Sequence, residues 1–275
     1  MHAPTPRAHD VIIIGAGPVG LLLAGLLARR GIRSLLLDRS LARPTHSQAI
    51  GITPPSLHIL AALGLDKEMV RLGVPIRDCH VHGHTGHLGC ATFRHLGGAY
   101  PFILSLPQQV TMQLLEEHLR DVEIRRGVEV HSLTQTPDCV TVETSSGPFS
   151  APYAIGCDGC HSRVRDLLGV RATTRHYGCH FLMGDFVDKT QLGHDAHLFF
   201  TAEGAVESFP LPEGRRRWIV QTPSRLQDSQ PGVISRLVRE RTSLHLLPAD
   251  QLNQSAFSPW RLDCDRLHHG RVILC

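Results

Sequence analysis

Aromatic residues, long apolar runs and a strong net charge are all scarce in this sequence. Phe, Trp and Tyr make up 5% of the 275 residues. No stretch approaches the roughly 20 consecutive apolar residues of a membrane-spanning helix. The formal net charge is +3, and the basic run RRR at residues 215–217 is short. We therefore predict neither a membrane protein nor a nucleic-acid-binding protein.

The N-terminus also lacks the pattern of a secretory signal. Its first ten residues, MHAPTPRAHD, are polar, and the apolar run that follows at residues 11–14 is too short for a signal peptide. We therefore expect a cytoplasmic protein. The eight cysteines are expected to be mostly free thiols, because disulfides are rare in a reducing compartment.

The most informative segment present is HDVIIIGAGPVGLLLAGLLARRGIRSLLLDRS near the N-terminus. A short β-branched run, typical of a buried parallel strand, leads into G-x-G-x-x-G at Gly15, Gly17 and Gly20. A helix is predicted over residues 21–30, and a second strand ends at Asp38. This strand, glycine loop, helix and acid form the pattern of a dinucleotide-binding unit.

Each residue of this unit has a predicted physical role. Gly15 allows a tight turn, Gly17 lets the backbone approach a pyrophosphate, and Gly20 lets the helix pack closely on the strand. The phosphates would meet free N–H groups at the positive end of the helix dipole. Asp38 would accept hydrogen bonds from the ribose hydroxyls and would repel a 2′-phosphate, so NADP is not expected here. These residues do not distinguish FAD from NAD.

A second segment, CDGCH at residues 157–161, is open to several interpretations. C-x-x-C-H is the pattern of c-type haem attachment, and the two cysteines could also form part of a zinc site or a redox pair. The absence of an export signal disfavours haem. An apolar strand precedes Asp158-Gly159, and Ser162 is a suitable N-cap for a helix that follows. We favour Asp158-Gly159 as the functional pair, with the cysteines incidental.

A third segment, CHVHGHTGHLGC, is rich in histidine. On a strand, His80, His82 and His84 would share one face and could hold zinc or copper. The glycines favour a twisted hairpin instead, and the 19 histidines of the chain make clustering by chance common. We predict no metal site.

Five further segments carry a family resemblance. They are RPTHSQAIGITPPSLHILAALGL, LPQQVTMQLLEEHLRD, AIGCDGCHSRVRDLLGV, FPLPEGRRRWIVQ and HHGRVILC. In this order they resemble the single-component aromatic hydroxylases, the flavin monooxygenases of the para-hydroxybenzoate hydroxylase type. Their counterparts there are an arginine-containing loop with a helix, a glutamine that opens a helix, the Asp-Gly box, a hairpin of the substrate sheet, and the strand before the last flavin motif.

The resemblance implies an α/β fold: a Rossmann-like FAD-binding domain with an inserted β-sheet substrate domain. It implies FAD as cofactor, NADH or NADPH as co-substrate, and hydroxylation of a small aromatic molecule with O₂. Arg165 would help to hold the Asp-Gly box. The candidate cofactor-binding residues are Gly15, Gly17, Pro18, Gly20, Asp38, Arg39, Arg43, Gln108, Asp158 and Gly159. Catalytic residues are left unnamed, because the oxygen chemistry belongs to the cofactor.

The predicted FAD-binding domain is discontinuous, comprising residues 1–74, 108–175 and 270–275. Residues 75–107 and 176–262 would form the substrate sheet. The chain departs from the family pattern at Gln48, Pro55 and His58, and it stops at Cys275, before the family's Gly-Asp motif. A truncated, non-catalytic nucleotide-binding remnant and another FAD or NAD oxidoreductase are therefore the alternatives. The oligomeric state is left open, and a homo-oligomer is compatible with the sequence.

Overall fold

The computed structural model describes residues 8–43, 49–226 and 230–275. In these ranges the helices are α1 (Pro18–Ala28), α2 (Pro54–Ala61), α3 (Asp66–Leu72), α4 (Gln108–His118), α5 (Arg163–Leu167) and α6 (Val233–Thr242), with a short 3₁₀ helix at Pro248–Asp250. The first strands are β1 (Val11–Ile14), β2 (Ser34–Asp38), β3 (Gly51–Ile52), β4 (Val74–Ile76), β5 (Asp78–Gly83), β6 (Gly86–Thr92), β7 (Ile103–Ser105), β8 (Glu123–Arg126), β9 (Val130–Gln135), β10 (Val140–Thr144) and β11 (Gly147–Ala151). The remaining strands are β12 (Tyr153–Gly156), β13 (Ala172–His176), β14 (His180–Val187), β15 (Ala196–Thr201), β16 (Gly204–Leu211), β17 (Arg215–Thr222), β18 (Ser255–Phe257), β19 (Trp260–Cys264), β20 (His268–His269) and β21 (Val272–Leu274). No helix among these is long and apolar enough to cross a membrane.

A six-stranded sheet carries the first predicted motif. Its order is β20-β21-β12-β1-β2-β8, and all neighbours are parallel except β20 and β21. Alternate residues of β1 enter different cores: Ile13 packs in one hydrophobic cluster, and Ile12 and Ile14 pack in the other. Burial on both faces explains why β1 and β2 are continuously apolar, as in doubly covered parallel sheets.

Helix α1 begins earlier than the apolar pattern predicts. The structure places its first residue at Pro18, three residues before the predicted start at Leu21. Proline is well tolerated there, because the first N–H groups of a helix have no intrahelical acceptor and the fixed φ of proline suits the helix.

The meander β9-β10-β11 covers one face of the six-stranded sheet and leads into β12. Its strands pair antiparallel, and Val130, Val140 and Val142 pack in the same core as Ile12. Strands β10 and β11 thus form a hairpin that leads directly into β12, the strand before Asp158-Gly159.

A seven-stranded sheet of order β18-β14-β17-β16-β15-β5-β6 forms the second large unit. Helix α6 packs on one of its faces, where Trp218, Ile234 and Val238 are fully buried. The predicted hairpin of residues 209–221 is confirmed as part of β16 and β17, which pair antiparallel.

Two smaller sheets complete the described structure, with orders β3-β7-β4 and β13-β19. Strand β7 connects to the large sheet through Ser105, whose Oγ donates a hydrogen bond to the Pro210 carbonyl at 2.6 Å. The predicted α/β class, a Rossmann-like sheet combined with a large substrate-type β-sheet, is confirmed. The exact division of the chain into two domains stays a prediction.

Candidate functional site

A cleft opens at the carboxyl ends of β1, β2 and β12, the position where parallel sheets of this kind bind ligands. Its volume is about 630 Å³. Eight of the ten candidate residues line it: Gly15, Gly17, Pro18, Asp38, Arg39, Gln108, Asp158 and Gly159. Gly20 and Arg43 are not among the residues lining this cleft. Segments far apart in the sequence thus converge on one concave surface.

The N-terminus of α1 faces this cleft, and no side chain in the described part of the chain caps it. Gly17 is the N-cap residue, no side chain accepts a hydrogen bond there, and the first turn contains no acidic residue. A Cβ built on Gly17 would meet no described atom within 4 Å. Free N–H groups, the helix dipole and open space at the cap are the features that bind a phosphate.

Gly15 and Gly20 are required by close backbone packing. Gly15 has φ +105°, and a Cβ there would lie 2.4 Å from the Cys157 carbonyl oxygen. A Cβ on Gly20 would lie 1.9 Å from the Gly15 carbonyl oxygen. These two glycines let the first loop, α1 and the Asp-Gly loop come together, whereas Gly17 leaves space in the cleft.

Asp38 is held at the end of β2 by two backbone N–H groups. Ala16 donates to its Oδ2 at 2.7 Å, and Ser40 donates to its Oδ1 at 2.7 Å. The carboxylate therefore also joins β2 to the glycine loop. A carboxylate oxygen has more than one lone pair, so both oxygens retain capacity to accept a hydrogen bond from a ligand hydroxyl.

The Asp-Gly box is built around the Asp158 carboxylate. Ser162 Oγ donates to Asp158 Oδ1 at 2.6 Å, and the Val164 N–H donates to Oδ2 at 3.0 Å. The Ser162 Oγ in turn accepts the Arg165 N–H at 3.0 Å, which confirms the predicted N-cap of α5. The Arg165 guanidinium donates to the Cys160 carbonyl at 3.1 Å, which closes the loop.

The two cysteines of CDGCH have opposite environments. Cys157 is buried and Cys160 is exposed. Burial, followed by the effect of the neighbouring Cys275, raises the pKa of the Cys157 thiol to about 12. A thiol of this kind stays protonated, whereas metal binding and disulfide exchange use the thiolate. The geometry favours the Asp-Gly interpretation over a metal or redox pair.

Three basic residues surround the outer part of the site. Arg39 lines the cleft, whereas Arg43 makes an ion pair with Glu116 of α4 (Nε to Oε2, 3.6 Å). Arg126, at the end of β8, shares the same Glu116 oxygen at 2.9 Å. Gln108 is the first residue of α4, as predicted, and its N–H donates to the Ala49 carbonyl at 3.1 Å.

Sequence reasoning missed several residues of an adjoining cleft of about 420 Å³. Those not predicted include Gln109, Met112, Arg126, Asn253, Gln254 and Ser255. Arg126 carries no local signal, because only the pairing of β8 with β2 places it beside Asp38. Asn253 to Ser255 follow a loop and carry no local signal either. Of the departures from the family pattern, Pro55 and His58 lie in α2, and Gln48 lies outside the described residues.

The prediction that three histidines share one face of a strand is wrong for the third of them, His84. His80 and His82 lie on β5, but His84 falls in the β5-β6 turn. The structure instead brings His82 Nε2 within 3.0 Å of His197 Nδ1 and His80 Nδ1 within 3.3 Å of His87 Nε2. In residues 8–43, 49–226 and 230–275, no group of three or more His, Cys, Asp or Glu side chains could hold a metal ion.

Comparison with known proteins places the chain in a family. A family model described as an FAD binding domain matches residues 8–275. The chain belongs to this FAD-binding domain family. The cleft between the glycine loop and the Asp-Gly box therefore lies in a chain whose family is defined by FAD binding.

Two curated relatives of this FAD-binding domain protein are named as monooxygenases. It is 33% identical to 6-methylpretetramide 4-monooxygenase of Streptomyces rimosus over 85% of this chain and 43% of that protein. It is 38% identical to rifampicin monooxygenase of Streptomyces venezuelae over 58% of this chain and 34% of that protein. The chain thus spans less than half the length of these relatives.

Solved structures show the same architecture. Anhydrotetracycline hydroxylase from Streptomyces rimosus is 26% identical and superposes with a TM-score of 0.75, covering 97% of this chain and 55% of that chain. The p-nitrophenol 4-monooxygenase of Pseudomonas putida superposes with a TM-score of 0.84 over 98% of this chain and 72% of that chain. The latter is 24% identical, so this likeness concerns the fold alone.

Proposed function

We propose that this protein is the FAD-binding and substrate-binding part of a flavin-dependent monooxygenase that hydroxylates a small aromatic molecule with NADH or NADPH and O₂. The observation that carries the proposal is the cleft in which the uncapped N-terminus of α1, Asp38 and the Asp-Gly box meet. The monooxygenase names of the relatives support the same reaction class.

Each part of the cleft has a defined task in this proposal. The N–H groups at the start of α1 bind the pyrophosphate of FAD, and Gly17 leaves room for its close approach. Asp38 accepts hydrogen bonds from the adenosine ribose. Gln108, Asp158 and Gly159 also line the cleft and are proposed to contact the flavin. Arg39 supplies positive charge at the rim.

The bound flavin would supply the redox and oxygen chemistry, and the protein would supply positioning and exclusion of water. The seven-stranded sheet contributes Ser255 from β18 to the adjoining cleft. Substrate is accordingly proposed to bind between this sheet and the glycine loop. A cytoplasmic location, the absence of nucleic-acid partners and the oligomeric state stay predictions from sequence.

The proposal is tested by purifying the chain, loading it with FAD and recording the flavin absorption band near 450 nm. NADH and NADPH oxidation is then followed with and without a panel of phenols, and hydroxylated product is sought with ¹⁸O₂. We expect one ¹⁸O atom in the product. A protein that stays colourless at saturating FAD contradicts the cofactor assignment. A yellow protein that incorporates no ¹⁸O contradicts the monooxygenase assignment and supports another flavin oxidoreductase.

A further inference from the structure

Glu207 is an acidic residue on the face of the seven-stranded sheet opposite α6. It lies on β16, where the neighbouring residues Val206 and Ser208 point to the α6 side and are fully buried. Successive side chains of a strand alternate between faces. The register therefore places Glu207 between Leu198 of β15 and Ile219 of β17.

The cross-strand neighbours of Glu207 on this face extend across the sheet to the proposed active site. Ile219 pairs with Met183 of β14, and Met183 pairs with Ser255 of β18. Ser255 lines the cleft that also contains Gly17 and Gln108. Since neighbouring strands are about 4.8 Å apart, Glu207 lies about 14 Å from Ser255 along the same face. The face opposite α6 is thus continuous with the FAD cleft.

Within the described ranges, no residue donates a hydrogen bond or forms an ion pair with the Glu207 carboxylate. By contrast, Asp185 of β14 and Asp188, the residue after that strand, are each paired with an arginine. The side chain is half-buried, and burial raises the pKa of Glu207. Its charged neighbour Arg217 is bound to Asp185 in a two-point contact of 2.6 and 2.9 Å. The pKa of the Cys79 thiol on β5 is raised by burial, then by Cys90 and by the charge of Glu207.

The surroundings of this carboxylate suit an aromatic ligand. Leu198, Phe209 and Ile219 are half-buried rather than fully covered. Further along the face, the rings of Phe181 and Phe257 stack with centroids 5.2 Å apart. An apolar wall with a few polar groups is the usual composition of a small-molecule site, in which those groups set orientation and specificity.

A half-buried carboxylate with no partner among the described residues has lost part of its hydration without a compensating hydrogen bond from the protein. We propose that Glu207 is a specificity residue of the substrate pocket, whose carboxylate accepts a hydrogen bond from a hydroxyl group of an aromatic substrate and excludes aromatic carboxylates. This inference rests on the proposed monooxygenase function and adds the substrate class: phenolic aromatics without an acidic group.

The test uses three naphthalenes that differ in one substituent. Binding of 1-naphthol, 1-methoxynaphthalene and 1-naphthoate to the FAD-loaded full chain is measured by isothermal titration calorimetry at pH 7. We expect wild-type protein to prefer 1-naphthol over the methyl ether by about ten-fold or more, the value of a hydrogen bond to a charged acceptor. Binding of the naphthoate anion should be weaker still.

Two variants separate charge from hydrogen bonding. Glu207→Gln keeps an acceptor but removes the charge, so naphthoate binding should strengthen while a preference for naphthol persists. Glu207→Leu removes both, so naphthol and its methyl ether should bind equally. The melting temperature of Glu207→Leu should be no lower than that of wild type, because the carboxylate has no structural partner. Glu203→Gln, in the exposed β15-β16 turn, is the matched control and should behave as wild type.

The outcomes also separate this inference from the proposed function. A wild-type protein that binds naphthol and its methyl ether equally, or binds neither, overturns the role of Glu207 even if the flavin band forms. If the protein takes up no FAD, the same titrations are made on the apoprotein. Discrimination among the three probes then supports the Glu207 site, while the proposed monooxygenase function is contradicted. A large loss of stability in Glu207→Leu indicates a structural role and also overturns the inference.

Discussion

Replacing Gly17 by alanine should separate cofactor binding from folding. Gly17 has φ −76° and ψ −177°, a backbone conformation that any residue adopts. A Cβ there would meet no described atom within 4 Å. Alanine should therefore leave the fold intact and stabilise it by about 0.4–1 kcal/mol, because it restricts the unfolded chain.

The cost of Gly17→Ala should appear in FAD binding instead. The added methyl group occupies the space through which the backbone approaches the pyrophosphate. Losing one hydrogen bond to a charged phosphate costs about 1.5–3 kcal/mol. Since 1.4 kcal/mol is a factor of ten, the Kd for FAD should rise about 10- to 150-fold, and further if two hydrogen bonds are lost.

FAD fluorescence titration and thermal melting of the apoprotein measure these two effects separately. Gly20→Ala should show the opposite pattern, with a clearly lower melting temperature, because its Cβ would lie 1.9 Å from the Gly15 carbonyl oxygen. Gly97→Ala, at an exposed and open loop position, is the control and should change neither quantity. A Gly17→Ala protein that melts normally and binds FAD as tightly as wild type would refute the assignment of this loop to the pyrophosphate.

Three further predictions concern stability and reactivity. Asp185→Asn should destabilise the fold by about 3–5 kcal/mol in urea unfolding, because it removes the carboxylate charge that lies against the buried Arg217 guanidinium. At pH 8, iodoacetamide should modify the exposed Cys160 well before Cys157, whose pKa is raised to about 12 by burial. Stability should fall as the pH is lowered from 6.5 to 4, because burial lowers the pKa of His197 from 6.5 to about 4 and the unfolded chain binds the proton first.

Each of these has a matched control and a contradicting result. Asp263→Asn removes a solvent-exposed partner of Arg261 and should cost less than about 1 kcal/mol; an equal effect at Asp185 would contradict the buried-pair argument. Peptide mass spectrometry should find Cys157 modified only after unfolding, and equal labelling of folded protein would refute its burial. His197→Gln should flatten the pH dependence of urea midpoints, and an unchanged slope would exclude His197 as its source.

Local features of the fold were predictable because short-range rules govern them. The buried strands before Gly15 and Asp38, and the capped helix after Ser162, follow from apolar runs, glycine and a capping side chain that act on adjacent residues. The start of α1 at Pro18 was mispredicted by three residues, because the apolar pattern does not mark a first turn whose side chains are only partly covered.

Features that depend on strand register were not predictable. Arg126 lies beside Asp38 only because β8 pairs with β2. His82 contacts His197, which is 115 residues away. It shares no strand with His84, because His84 lies in the turn between β5 and β6. Both contacts arise from pairing between distant segments, which no local pattern specifies.

The sequence by itself determined the chemistry of the cofactor cleft, since the glycine loop, Asp38 and the Asp-Gly box carry their own local geometry. Only the tertiary structure decided which charged groups have partners. Arg217 and Asp185 form an ion pair across two strands, whereas none of the residues that the structure describes pairs with Glu207 on the same face. A carboxylate looks identical in the sequence in both cases, and its environment is set by what the register places opposite it.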